Sequence, residues 1–282
     1  MKYSIMATLV AALLLVVPFE AAAGADGESY RNILEKKADS IVTVKLILKV
    51  KIAFMGQSQE MENETEVPGV VVDEKGLVMI ADEALDPALP IDDGQIDVKV
   101  TPLGMQVIFA DDDEEYDAVL AAKDTNLGLA FIQVKDLAGK TVAPVSFADT
   151  AKVAIGEELI GVSRYQKGFD YAPYFGTIRI AGEVFSPRPL FVIDGGFDGL
   201  GLPLFTADGT VAGVLAAQEG SEGAGGGGGG GPMGMLLDMA GGPAGDVFLL
   251  PADTVRVTIE QAKKKADEAL KKAAEEAESA GE

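Results

Sequence analysis

The side chains best suited to nucleophilic chemistry in this sequence are a serine and a lysine four residues apart, Ser163 and Lys167. A lysine amine that loses its proton can act as the general base for a nearby serine hydroxyl. Residues 158–165 also have the apolar composition of a strand, and a strand end followed by its turn gives the same spacing. A Ser–Lys dyad and an ordinary strand end therefore both remain open, and the second is favoured.

Two residue types on which many enzymes depend are missing, because the 282 residues include no histidine and no cysteine. Histidine is the usual general base near neutral pH and the commonest metal ligand, and cysteine supplies the thiolate nucleophile. Ser-His-Asp and Cys-His catalysis, disulfide bonds and zinc sites built on these residues are therefore excluded. We expect no cofactor and no metal site.

The chain is strongly acidic, with 45 Asp and Glu against 23 Lys and Arg and a formal net charge of −22. Such a charge repels nucleic acid and anionic lipid and attracts cations or basic peptides. The acidic segments 91–97 and 111–115 contain oxygen ligands of the kind that calcium prefers. They lack the regular alternation of a calcium-binding loop, so we expect solvated turns there.

The first 23 residues have the composition of a secretory signal peptide. Lys2 precedes an apolar stretch from Ala7 to Phe19, and small residues end at Ala23. The apolar stretch is shorter than the ~20 residues of a membrane-spanning helix. The sequence thus predicts cleavage near Ala23 and an exported protein, secreted or periplasmic, without a membrane span after cleavage.

The pattern of apolar residues predicts an all-β protein in two halves that meet between residues 138 and 152. Alternating apolar residues over 42–54 indicate a long half-buried strand, residues 56–69 a polar connection, and residues 69–80 a hairpin. Short segments with Gly-rich turns favour antiparallel barrels or a sandwich. The further predicted strands are 95–100, 105–110, 116–122, 127–134, 158–165, 174–185, 189–194, 201–217 and 245–251.

Two segments depart from the strand pattern. Residues 219–245 are rich in glycine and predict a flexible loop, which contains an apolar island around Met235, Leu236 and Leu237. From residue 252 the chain has a helical pattern with Asp253 as N-cap. Its narrow apolar stripe is expected to belong to a solvated helix rather than to a helix pair. The stripe comprises Val255, Ile259, Ala262, Ala266 and Leu270.

Three stretches and a C-terminal ending together resemble one protein family. The stretches are GVVVDEKGLVMIADEAL (69–85), YDAVLAAKDTNLGLAFIQV (116–134) and DGLGLPL (198–204), and the ending is VFLLPADTVRVTIEQ (247–261). In this order they resemble the trypsin-like serine proteases of the HtrA type, from about Ser40 to Ala262. The resemblance implies a β-barrel at 40–138 and another at 139–262, after an N-terminal segment (24–39) and before a helical tail (263–282). The PDZ domain usual in that family is absent.

The resemblance also places the family's catalytic positions on residues that cannot perform the reaction. The histidine position falls on Glu83, the aspartate on Gly128 and the serine on Leu200, while a glycine of the oxyanion hole is replaced by Asp198. The family mechanism needs a nucleophile, a base and a residue that orients the base. The resemblance therefore implies an inactive homologue, a pseudoprotease.

Without the triad, the expected function is that of a scaffold or peptide-binding module. Trypsin-like proteases bind peptides along an exposed strand edge, which the resemblance places at Ala216, Ala217 and Gln218. The island at Met235, Leu236 and Leu237 could cover that edge. The expected ligand is a peptide or an unfolded protein of basic character.

Two alternatives stay open. One is an active hydrolase with unconventional residues, such as the Ser163–Lys167 pair or the carboxylates of Glu83 and Asp198. The other is a structural β protein of the cell envelope.

Overall fold

Two closed antiparallel barrels of six strands form the computed structural model, which describes residues 27–54, 57–85, 96–109, 112, 114–218 and 246–280. A helix precedes the first barrel and another follows the second. The expectation of two antiparallel β-barrels followed by a C-terminal helix is confirmed. The predicted signal peptide (1–23) and the glycine-rich segment (219–245) lie outside the described residues.

The first barrel has the strand order β1-β2-β3-β6-β5-β4. Its interior is lined by apolar residues of alternating positions, such as Val42, Val44 and Leu46 of β1, as the period-two pattern predicts. Its strands are β1 (Ile41–Phe54), β2 (Gln57–Val71), β3 (Leu77–Ala81), β4 (Ile96–Ile108), β5 (Glu115–Asp124) and β6 (Leu129–Val134).

The second barrel has the strand order β10-β11-β12-β9-β8-β7 and repeats the same arrangement. Its strands are β7 (Glu158–Arg164), β8 (Pro173–Val184), β9 (Leu190–Gly195), β10 (Pro203–Phe205), β11 (Val211–Gln218) and β12 (Asp246–Pro251).

The prediction of a polar connection at 56–69 is wrong, because this segment belongs to β2. β2 pairs with β1 from Ile41–Val70 to Phe54–Gln57. Lysines of β1 face glutamates of β2, and Lys49 Nζ lies 2.6 Å from Glu60 Oε2. A strand whose side chains are mostly exposed and charged lacks the apolar alternation on which the prediction relied.

The two predicted strands at 95–100 and 105–110 are a single strand, β4. Pro102 and Gly104 lie between the two predicted segments. In the structure the pairing of β4 with β1 shifts register at this point, between Ile47 and Leu48. The irregularity accommodates the proline without ending the strand.

Strands β3 and β6 are buried on both faces, which explains their uninterrupted apolar sequences. Ala130 and Ile132 of β6 point into the first barrel. Leu129 and Phe131, on the opposite face, join a second apolar cluster that continues into the second barrel. The two barrels therefore share a core and do not merely touch.

The C-terminal helix α2 (Ala252–Ala280) closes this shared core, so the expectation of a solvated helix is wrong for its first half. Val255, Ile259, Ala262 and Ala266 are all at most 4% exposed. The helix packs on β11 and β12 and also on β5 and β6 of the first barrel. Small alanine side chains permit this close approach of helix to sheet.

Asp253, the predicted N-cap, lies inside the first turn of α2. Its Oδ1 accepts a hydrogen bond from Thr150 Oγ1 (3.1 Å) and pairs with Arg256 Nη2 (3.0 Å). A negative charge in the first turn is favourable to the helix dipole. The N-terminal helix α1 (Gly27–Lys37) buries Ile33 against the shared core.

Candidate functional site

Three loops meet between the barrels and bring together the positions that the resemblance identified. Glu83 lies in a 3-10 turn (Asp82–Ala84) after β3, Gly128 in the turn before β6, and Leu200 in the loop between β9 and β10. The Asp82 N–H donates to Gly128 O (3.1 Å), which joins the first two loops. We call the region formed by residues 82–84, 128 and 198–201 the seam.

Glu83 lies close to other carboxylates and is half-buried. Burial raises the pKa of its carboxyl group, and the negative charges of Asp82 and Asp198 raise the pKa further. Asp198 belongs to the second barrel, so negative charge from both barrels acts on Glu83. Glu83 thus stands in an acidic environment, whereas the histidine of a protease is stabilised as a cation in the reaction.

Gly128 could not be replaced by aspartate without a change in the backbone. It has a φ of +69°, and a Cβ placed on it would lie only 2.7 Å from Ala217 O. The same Cβ would be 3.7 Å from Asp82 Oδ1, so a neighbouring carboxylate approaches the space from which an aspartate would extend. Burial raises the pKa of Asp82, and Lys123, whose Nζ lies 4.0 Å from Asp82 Oδ2, opposes that rise.

Leu200 packs against the shared core and is half-buried. Next to it, Gly201 has a φ of +79° and lies directly against the first barrel, since a Cβ there would be 2.3 Å from Ala81 N. The Gly201 N–H donates to Leu215 O (2.8 Å) and fixes the loop on β11. The loop is therefore held in place, and the isobutyl group of Leu200 occupies the position that the resemblance assigns to the nucleophile.

Phe197 is a residue of this loop that sequence reasoning missed. Its ring lies over three glycines, and a Cβ on Gly161, Gly176 or Gly199 would come within 2.6 Å of ring carbons. Phe197 is 8% exposed. Glycines at all three positions were visible in the sequence, but their convergence on one ring depends on the pairing of β7 with β8. Asp198, which follows Phe197, is exposed.

The predicted peptide-binding edge is only partly accessible. Ala216 is fully buried, while Ala217 and Gln218 are half-buried. β11 pairs with β12 from Gly213 to Gln218 but with β10 only from Val211 to Val214. Gln218 Nε2 donates to Ala217 O (2.8 Å). The remaining predicted binding residues lie outside the described residues: Met235, Leu236 and Leu237.

Ser163 lies at the end of a strand and Lys167 in the turn that follows it, as the favoured interpretation predicted. Ser163 belongs to β7 and is 1% exposed, while Lys167 begins a 3-10 turn (Lys167–Phe169) and is exposed. No hydrogen bond joins the two side chains in the part of the chain that the structure describes. The geometry does not bring them together as a dyad.

Metal-ligating side chains do not cluster in the described residues, where no group of three or more Asp, Glu, His or Cys could hold an ion. Among the same residues, no helix is long and apolar enough to cross a membrane.

Comparisons with known proteins rest on structure alone, because no sequence family and no curated protein matches this sequence. The crystal structure of Deg5 is similar with a TM-score of 0.53 and 16% identity, over 81% of this chain and 90% of that chain. The structure of an HtrA-type protease, an AlgW variant with a tripeptide, is similar with a TM-score of 0.52 and 13% sequence identity, over 82% of this chain. This chain spans 62% of the AlgW chain. The protein described here therefore has the trypsin-like double-barrel fold of the HtrA-type proteases.

Proposed function

We propose that this protein is a catalytically inactive, trypsin-like module that binds peptides without cleaving them. The observation that carries the proposal is the occupation of the seam by Glu83, Gly128 and Leu200, none of which can act in the family mechanism. Because the sequence contains no histidine, no other residue can supply an imidazole base. Removal of the triad costs several powers of ten in rate.

Three further features of the site support the loss of activity, and together they mean that more than one position would have to change to restore it. Ala217 O lies where the Cβ of an aspartate at position 128 would collide with it. Leu200 is packed on the core, and Asp198 stands at the position that the resemblance assigns to a glycine of the oxyanion hole. A negative charge at that place opposes the charge that develops in acyl transfer.

Peptide binding is the activity that such a fold retains, since strand addition needs backbone groups and side-chain grooves but no nucleophile. The test is a screen of a labelled peptide library, followed by chromatography of each bound peptide after long incubation. We expect binding of a subset and recovery of every bound peptide intact. Cleavage of any bound peptide, beyond that in a sample with Glu83→Gln, would favour the unconventional hydrolase instead.

We also propose export, on the basis of the signal-peptide composition of residues 1–23. Expression of the complete chain in a bacterial host, with fractionation and mass spectrometry of the N-terminus, tests this. The expected product is found outside the cytoplasm and begins at Gly24. Retention of Met1 on protein in the cytoplasm would overturn it.

A further inference from the structure

A groove beside the seam combines exposed aromatic rings with carboxylates. It has a volume of about 320 Å³ and lies between the β1–β2 ribbon of the first barrel and the β7–β8 hairpin of the second. Asp198 lines it, so it opens next to the seam. We call it the aromatic–acidic groove, and the residues that define it are Glu66, Ser163, Tyr165, Phe169, Tyr174 and Asp198.

The rings form one connected surface. The ring centroid of Tyr165 lies 5.4 Å from that of Phe169 and 4.6 Å from that of Tyr174, with interplanar angles of 47° and 35°. Phe169 is 69% exposed and Tyr165 is 49% exposed, although burial of such rings is favourable. The faces of aromatic rings are electron-rich and attract cations.

The loop that carries the rings is firmly held. Asp170 and Tyr171 both have a φ of +51°, a conformation that is unfavourable for residues other than glycine. Tyr171 is buried, and its hydroxyl donates to Glu66 Oε1 (3.1 Å). Arg164 binds the carbonyl oxygens of Tyr171, Ile41 and Ala38, which directs its guanidinium toward the backbone. The rings are therefore presented by a fixed loop rather than by a floppy one.

The charge of the groove favours a cation. Glu66 and Asp198 line the groove with carboxylates, and Ser163 lies in its wall. Arg164 also lines the groove, but its guanidinium donates to three backbone carbonyl oxygens. A net charge of −22 adds attraction at longer range.

We propose that the aromatic–acidic groove binds the cationic side chain of a peptide, and that it prefers arginine. A guanidinium is planar and stacks on aromatic rings while it donates hydrogen bonds to carboxylates. A lysine ammonium gains the same attraction to the rings but does not stack. This inference rests on the proposed function, because it specifies which peptides the module selects.

The test compares short alanine–glycine peptides that differ at one central residue. That residue is arginine, lysine, citrulline (an uncharged analogue of arginine) or norleucine. Binding is followed by the NMR backbone amide signals of residues 163–175. We expect the arginine peptide to bind roughly tenfold more tightly than the citrulline peptide, with lysine between them, and high salt to reduce the difference.

Matched variants separate the groove from a general effect. Tyr165→Ala with Phe169→Ala is expected to weaken the arginine peptide about fivefold to tenfold, and Asp198→Asn about threefold. The controls are Phe185→Ala, an aromatic residue 74% exposed after β8, and Asp194→Asn, an exposed carboxylate on β9. Both controls should leave the affinity unchanged, and a circular dichroism spectrum checks that each variant is folded.

Three results would overturn the inference. Equal affinities for the arginine and citrulline peptides would exclude recognition of the cation, while peptide binding itself, and with it the proposed function, would stand. Loss of affinity in Phe185→Ala as large as in the double variant would remove the groove as the site. Absence of binding by every peptide, charged or neutral, in this test and in the library screen would remove both the inference and the proposed function.

Discussion

The seam and the aromatic–acidic groove lie side by side but have opposite character. In the seam, Gly128 and Gly201 allow backbones to approach closely, and Leu200 packs on the core. In the groove, Tyr165 and Phe169 expose their rings to solvent. Leu200 is thus packed at the position that the resemblance assigns to the nucleophile, while the rings of the adjacent groove stay exposed.

This difference separates residues that stabilise the fold from residues that are available to bind a ligand. A glycine that fits against another backbone is a packing requirement, whereas an exposed ring on a fixed loop makes no comparable contribution to the core. Substitutions in the seam should therefore cost stability, and substitutions in the groove should cost binding. The following predictions separate these two consequences.

Gly201→Ala should have the largest effect, a loss of about 4 kcal/mol in the free energy of unfolding. Its Cβ would lie 2.3 Å from Ala81 N, and the φ of +79° adds strain. Gly139→Ala is the matched control, because Gly139 has a φ of +83° with nothing within 4 Å of a Cβ, and it should lose only about 1 kcal/mol. Equal losses in urea unfolding of the two variants would show that the contact between barrels is unimportant.

Phe197→Ala should cost about 3 kcal/mol, because it removes a buried ring from the slot between three glycines. The loss should also disturb Tyr174, whose ring centroid is 6.4 Å from that of Phe197, and so weaken peptide binding in the groove. Phe185→Ala should change the unfolding free energy by less than about 0.5 kcal/mol. Equal melting temperatures of the two variants in a thermal unfolding scan would show that packing of Phe197 between the three glycines does not stabilise the fold.

Gly128→Ala should lose about 2 kcal/mol of stability, because its Cβ collides with Ala217 O. Gly128→Asp should lose more, because its carboxylate is added beside Asp82 Oδ1, which lies 3.7 Å from the Cβ position. For the same reason, the combination Glu83→His, Gly128→Asp and Leu200→Ser should not regain protease activity. Urea unfolding and hydrolysis of a casein substrate measure the two effects. A stable triple variant that cleaves casein would show that the seam is still a protease site.

Glu83→Gln should have the smallest effect, a stabilisation of less than about 1 kcal/mol near pH 7. The pKa of Glu83 is raised in the folded state by burial and by Asp82 and Asp198, so its ionisation destabilises the fold as the pH rises above the unfolded value of 4.5. The difference from the unchanged protein should vanish near pH 4, where the carboxyl is protonated in both states. Glu74→Gln, which removes a carboxyl group at an exposed position, is the matched control. A gain that persists at low pH would contradict the electrostatic cause.

Much of the fold could be predicted from local patterns in the sequence. The hairpin at 69–80 and the buried strand β6 depend on apolar residues within a few positions of each other, and both were found. β2 was missed because a strand with exposed, charged side chains gains its stability from pairing with β1, which lies elsewhere in the sequence. The buried stripe of α2 was underestimated for a similar reason, since alanines contribute to a core only when another surface lies against them.

The seam positions could be predicted only through the resemblance, and the groove could not be predicted at all. Glu83, Gly128 and Leu200 were identified by their place in three quoted stretches, which the fold then brought to adjacent loops. Asp198 is distant in sequence from Tyr165 and Phe169, and nothing in their spacing indicates that they line one groove. Phe197 was missed because its significance depends on glycines of two other strands.

The most direct test of the central claim, that this protease frame performs no acyl-transfer chemistry, is treatment of the purified protein with a fluorophosphonate probe. The mass of the intact protein is then measured, with trypsin treated in parallel. The account predicts no adduct on this protein and complete labelling of trypsin, because Leu200 has no attacking atom and the chain has no histidine. A stoichiometric adduct on any serine, Ser163 above all, would contradict it and identify an active nucleophile.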